Sequence, residues 1–148
     1  MSYAAIRDYL KTKLQAVDGI GVVHDYDRWA ADWAKLINLY VSNDKLNGWH
    51  VTRKGTVEAW KSLPVVDRNH TYEIVGIYAL KDADASEKAF QDLVEKVMEE
   101  LRFDFTLGGN CQQTGPITLE GPEPRIFGSV LCHVAVLKLP VQERAMPV

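Results

Sequence analysis

The sequence predicts an α+β domain: a mostly antiparallel sheet of about four strands, with a short N-terminal helix and one long helix packed on one side. Three observations lead there. An apolar stripe at helical spacing runs through residues 84–102, and the segment His70–Leu80 reads as a strand with apolar residues on both faces near its end. Clusters of Asn, Asp, Gly and Pro separate these from further short extended segments. With 148 residues, 47% hydrophobic and 25% charged, the chain has the size and composition of a single domain spanning 1–148.

The first element is an amphipathic helix. Tyr3, Ile6, Leu10, Leu14 and Val17 fall three and four apart on one face, Ser2 is placed to cap it, and Asp18-Gly19 ends it. Ile20–Tyr26 then reads as a short strand, and residues 28–41 as a short helix followed by a strand. Asn43-Asp44 and Asn47-Gly48 signal turns, and Leu46–Arg53 reads as a strand with Trp49 and Val51 on one face. Gly55 and Pro64 make 55–69 a connection, with room for extended pairing around Val57–Trp60.

In the long helix, Asp84 is expected to cap with Glu87 reaching back three residues later. Ala89, Phe90, Leu93, Val94, Val97, Met98 and Leu101 form its apolar stripe. Seven glycines and prolines between 104 and 125 predict a long, flexible loop or a loose hairpin around Ile117–Leu119. Arg125–Val141 reads as a terminal strand, followed by a frayed tail at 143–148.

Charge and motifs narrow the function classes. Seventeen Lys and Arg against twenty Asp and Glu give a net charge of −3, and no polybasic segment stands ready to neutralise several phosphates at once. No apolar run approaches a bilayer span, and the charged N-terminus lacks the apolar stretch of a signal peptide, so a soluble cytoplasmic protein is expected. Cys111 and Cys132 have no metal or redox spacing and read as reduced thiols. No two histidines stand three or four apart, and Cys132 and His133 would point to opposite faces of a strand. The nucleotide-binding and hydrolase motifs are absent from the sequence. The expectation is a non-enzymatic protein with no catalytic residues, no metal ligands and no cofactor. The concentration of Trp29, Trp33, Trp49 and Trp60 in the first half suggests core packing, with Trp29 or Trp33 at a contact between subunits.

The helix Ala5–Leu14, the strand Gly48–Arg53, the unit His70–Leu80 running into Asp84–Phe90 and the long helix, and a closing strand after a Gly/Pro-rich loop follow in a telling order. In that order, across nearly the whole chain, the sequence resembles the tail-terminator (tail-completion) proteins of long-tailed bacteriophages. The resemblance implies a small α+β subunit that forms a homo-oligomeric ring, a hexamer, on the tail tube. There it stops tube polymerisation and offers the surface that head–tail connector proteins join, with no cofactor. It implies a virion (tail) location after assembly in the host cytoplasm, the tail tube protein as partner, and DNA passing through without specific binding or any membrane role.

The interaction residues expected under this reading are Trp29, Trp33, Arg53, Asn110, Gln112 and Arg125, with Asn110–Glu120 ordering on assembly. Three other readings stay open: another phage head–tail connector or minor tail protein, a small metal-assisted α+β enzyme using His24, Asp25 and Asp27, and a dimeric small-molecule-binding domain of ferredoxin-like build.

Overall fold

A computed structural model describes residues 3–147; Ser2, the expected cap, and Val148, the end of the expected tail, lie outside them. In chain order the elements are α1 (Tyr3–Gln15), β1 (Val22–His24), α2 (Trp33–Asn38), β2 (Val41–Ser42), β3 (Lys45–Ser62) and β4 (Val65–Ala79). A 3-10 turn at Asp82–Asp84 leads into α3 (Ser86–Arg102), β5 (Gln113–Thr114), β6 (Thr118–Phe127) and β7 (Val130–Ala145).

This corrects the expected fold class. The chain is mostly β, 46% strand against 27% helix, and its sheet is a curled one of seven strands, not four. No helix is long on the scale of this sheet. The 17 residues of α3 reach roughly 26 Å at 1.5 Å each, while the 18 residues of β3 reach roughly 59 Å at 3.3 Å each.

The sheet runs β1-β3-β4-β7-β5, with β2 also paired to β3 and β6 to β7. All pairs are antiparallel except β1 with β3. Parallel neighbours cannot be joined by a hairpin, so the chain between them must cross a face of the sheet. Residues 25–44 make that crossing and carry α2 with them. The helices therefore do not share one side. α1 and α3 cover one face, where Ile6, Leu10, Leu14, Phe90, Val94, Val97 and Leu101 pack on Trp49, Val51, Tyr72, Ile74, Leu137 and Leu139. The α2–β2 segment covers part of the other, through Tyr40 on the sheet residues Leu46, Ile77 and Cys132.

Within the main core the strands pass close together. A Cβ added to Gly76 would lie 2.6 Å from Trp49 Cη2, so the indole occupies the space that any other residue at 76 would claim. Gly128 (φ 63°) turns β6 into β7 in the left-handed region that glycine adopts freely.

Other expectations change here for identifiable reasons. Residues 55–69 are not a connection. They continue β3 and β4 as a hairpin turning at Leu63-Pro64, with Gly55 in a bulge that opposes Thr71. The segment 104–125 is not one flexible loop: Gln113–Thr114 and Thr118–Phe127 are paired on β7, and Gly121-Pro122 sits in the bulge between Glu120 and Glu123. Proline is tolerated at bulges and on outer strands, so its density did not mean absence of pairing. The segment is also tied down in the single subunit by Gln112 N–H to Gln142 O at 2.8 Å and Thr114 N–H to Phe105 O at 2.8 Å. The tail does not fray at 143: β7 runs to Ala145, Glu143 is buried, and Arg144 Nε bonds Asp67 at 2.9 Å.

α3 also begins later than its sequence suggests. Ala85, in a left-handed conformation (φ 53°), takes the cap position without a side-chain bond. Ser86, next along, accepts the Lys81 N–H at 2.9 Å.

Candidate functional site

The alternating pattern of β3, β4 and β7 builds one continuous row on the face that α1 and α3 cover. Register places Val51, Ile74 and Leu137 side by side, then Arg53, Tyr72 and Leu139, then Thr56, His70 and Val141, then Glu58, Arg68 and Glu143, and finally Trp60, Val66 and Ala145. The helices cover only the first part. Beyond Tyr72 the three strands continue as an arm, and polar side chains replace the apolar core.

That polar row is closely bonded. Thr56 Oγ1 lies 2.8 Å from His70 Nδ1, and His70 Nε2 lies 2.9 Å from Glu143 Oε1. A carboxylate can only accept, so Nε2 donates to Glu143, and in a neutral ring Nδ1 accepts the threonine proton. Arg68 Nη1 donates to the same Glu143 oxygen at 2.8 Å, and its Nε to Glu58 at 2.7 Å. The His70 side chain is wholly buried and that of Glu143 is 4% exposed. A hydroxyl, an imidazole and a carboxylate in this sequence is the order of a nucleophile, base and orienting group. Thr56, however, stands on the exposed arm, where water has free access. The row pins β3, β4 and β7 together where no helix does so, which makes the arm a rigid projection.

The other histidines are equally occupied. His133 Nε2 meets Ser86 Oγ at 2.8 Å, with both residues buried under the start of α3. His24 Nε2 donates to Leu39 O at 2.6 Å, leaving Nδ1 to accept from Arg28 at 3.3 Å. Asp25 faces Arg7 at 3.7 Å, and Asp27 lies 3.9 Å from His50. The three residues of the metal-assisted reading thus turn to different partners, and among the described residues no three His, Cys, Asp or Glu side chains are grouped to hold an ion. Burial pushes both thiols up to about 11, so Cys111 and Cys132 are protonated near neutral pH.

Tyr40 and His50 form a buried pair, the phenol 2.9 Å from Nδ1. Burial pushes the Tyr40 phenol up to about 12 and holds His50 below its ordinary value. His50 is therefore neutral when folded and takes up a proton more readily when unfolded. Stability from this site is fully present above about pH 6.5 and is lost as pH falls towards the depressed folded value. We expect the urea midpoint to drop between pH 7.5 and 5.5, and to drop less in His50→Gln; equal drops would show that His50 contributes nothing to acid sensitivity.

Exposed apolar side chains gather at both ends of the sheet. At the arm end stand Val57 (70% exposed), Leu63 (78%) and Met146 (65%), with Trp60 (67%) beside them. At the far end Ile126 and Leu131 flank the β6–β7 turn, and Trp33 reaches within 3.7 Å of a Cβ built on Gly128. β4, 15 residues long, separates the two groups by roughly 50 Å.

The residues singled out from sequence do not converge. Trp29 and Trp33 are both strongly exposed, Trp29 in the connection before α2 and Trp33 at its start. Arg125 shares that end of the sheet, its Nε bonded to Glu123 at 2.6 Å. Arg53 lies on β3 with its guanidinium 4.7 Å over the Tyr3 ring. Asn110 closes a turn on Leu107 O at 2.8 Å, and Gln112 lies two residues on, at the start of the pairing with β7. Trp60, the polar row and the arm were missed as a site, because Thr56, His70 and Glu143 are far apart in the chain and meet only through strand register.

No family model matches this chain, and no curated protein matches it. Among the described residues no helix is long and apolar enough to cross a membrane.

Proposed function

We propose that this chain is a structural subunit of a phage tail, a tail terminator that assembles as a ring, a hexamer, on the tail tube and presents a surface to the head–tail connector. The observation that carries the reading is the pair of unlike exposed apolar groups at opposite ends of one rigid sheet. A subunit stacked between two different neighbours needs two different docking ends. Large apolar side chains already exposed at the ends of a paired sheet can bury area against a neighbour. The arm end offers Val57, Leu63 and Met146; the α2 end offers Trp29, Trp33, Ile126 and Leu131.

The part of the second face that α2 leaves open supports the passage of DNA without retention. Its cations are matched: Lys138 with Glu120 at 2.9 Å, Arg144 with Asp67 at 2.9 Å, and Lys54 with Glu73 at 4.0 Å. Such pairing leaves little free charge to release counterions from a phosphate backbone.

Electron microscopy of particles assembled with and without this chain tests the reading. Overlong or headless tails in its absence are expected; tails of normal length joined to heads would overturn it.

A further inference from the structure

The edges of the sheet remain after its two ends have been assigned. β1 pairs with β3 only over Gly48–His50, and β2 only over Lys45–Leu46. From Arg53 to Ser62 the outer edge of β3 has no strand beside it among the described residues. A free edge of about ten residues is a template for another strand unless something guards it. Trp60 stands near the end of this edge, on the face that carries α1 and α3, and is 67% exposed.

The opposite edge of the sheet, on the same face, holds the complement. Between the C-terminal half of α3 and the segment around β5 lies an apolar cavity of about 390 Å³, walled by Met98, Phe105, Thr114, Pro116 and Ile117, with Arg102 at its rim. That volume lies within the range of cavities that hold a compact organic group. Thr114 pairs with Val141, while Trp60 lies level with Ala145, so knob and cavity differ by four residues along β7, roughly 13 Å.

Strand direction agrees. β3 and β7 run the same way and β5 runs the other, so a copy placed alongside by rotation about an axis inclined to the strands sets its β3 antiparallel to this copy's β5, and the inclination takes up the offset. Charge is mixed on both sides: the free edge carries Arg53, Lys54 and Lys61 with Glu58, and beside the cavity Glu95 is paired with Arg102 at 3.2 Å. An arginine at the rim also suits the face of an indole.

We infer that copies of this chain join head to tail, Trp60 on the β3 edge of one copy seating in the α3–β5 cavity of the next. The two surfaces are different, so the contact is heterologous and repeats until rotation closes it. This rests on the ring reading above and names the contact that makes the ring. Trp60 alone buries an area on the order of 150–250 Å²; the strand edge supplies the remainder.

The test uses Trp60→Ala, which removes the knob, and Thr114→Trp, which fills the cavity; Trp60 is exposed and Thr114 half-buried in the cavity wall, and unchanged melting confirms that each variant folds. Mass in solution is followed over a concentration series. The wild type is expected to form a closed oligomer, and each variant to need at least tenfold more protein to associate. Mixed one to one, the variants keep a single sound contact, Trp60 of the Thr114→Trp copy in the open cavity of the Trp60→Ala copy. The mixture should therefore stop at a two-copy species. Variants that assemble as the wild type does would overturn this contact and leave the ring standing. A wild-type chain that stays a single copy at every concentration would overturn both.

Discussion

Val97→Asp is expected to abolish cooperative folding. Val97 has no exposed surface and lies in the middle of the apolar stripe of α3, pressed on the sheet among Phe90, Leu93, Val94 and Leu101. Losing its burial removes on the order of 1.5–3 kcal/mol. The carboxylate adds several more, since the core residues Phe90, Leu93, Val94 and Leu101 around it are apolar and the alternative is to bury it protonated and unbonded. Together these approach the whole stability of an ordinary domain, about 5–15 kcal/mol. The effect should be read by circular dichroism melting against two controls. Val97→Ala should fold with a lowered midpoint, and Lys96→Gln, one residue away on the exposed side, should melt within about 0.5 kcal/mol of wild type. A soluble Val97→Asp with a single sharp transition would mean that α3 is not a core element.

The same helix shows what could be read from the chain. Its stripe repeats at 3.6 residues against a strongly charged opposite face, a signal that tertiary packing does not obscure. α1 is legible for the same reason through Ile6, Leu10 and Leu14. The central stretches of β3 and β4 are legible because both faces there are covered, giving runs such as Ile74–Leu80.

The arm was not legible, and with it went the fold class. Between Lys54 and Ser62 the strand is exposed on both faces, so charged, small and aromatic residues follow one another without alternation. Gly55 and Pro64 then read as breakers, although one occupies a bulge and the other a turn. β6 hid in the same way behind Gly121, Pro122 and Pro124, and the missing strands turned a seven-stranded sheet into one of four. The start of α3 misled through local chemistry: Asp84 and Glu87 have capping spacing, but the Ser86 hydroxyl takes the Lys81 N–H instead. As for the site, the exposure of Trp29 and Trp33 was compatible with the surface role expected of them. Trp60 carried no mark in the sequence to separate it from Trp49, which is wholly buried.

Arg68→Met is expected to cost about 3 kcal/mol and to loosen the arm before the core. Glu143 is a nearly buried carboxylate whose oxygen receives both Arg68 and His70. Removing the guanidinium leaves that charge with one partner, and breaking a buried pair from one side costs on the order of 3–5 kcal/mol. The lower figure applies, because the Arg68 side chain keeps 27% of its surface in water. An ordinary exposed pair would instead give up to about 1 kcal/mol. Adding Glu143→Gln removes the stranded charge while keeping an acceptor for His70. The double variant should therefore be more stable than Arg68→Met alone, a sign that only coupled groups produce. Hydrogen exchange locates the loss. Amides of residues 56–62 and 65–71 should exchange faster in Arg68→Met, while those of α3 and of Ile74–Tyr78 keep their protection, since the helices hold that part of the sheet independently. Uniform acceleration across both regions would show that the polar row supports the whole fold. A cost below about 0.5 kcal/mol would show that the row does not stiffen the arm, and a docking end built on it would then have to be ordered by its partner.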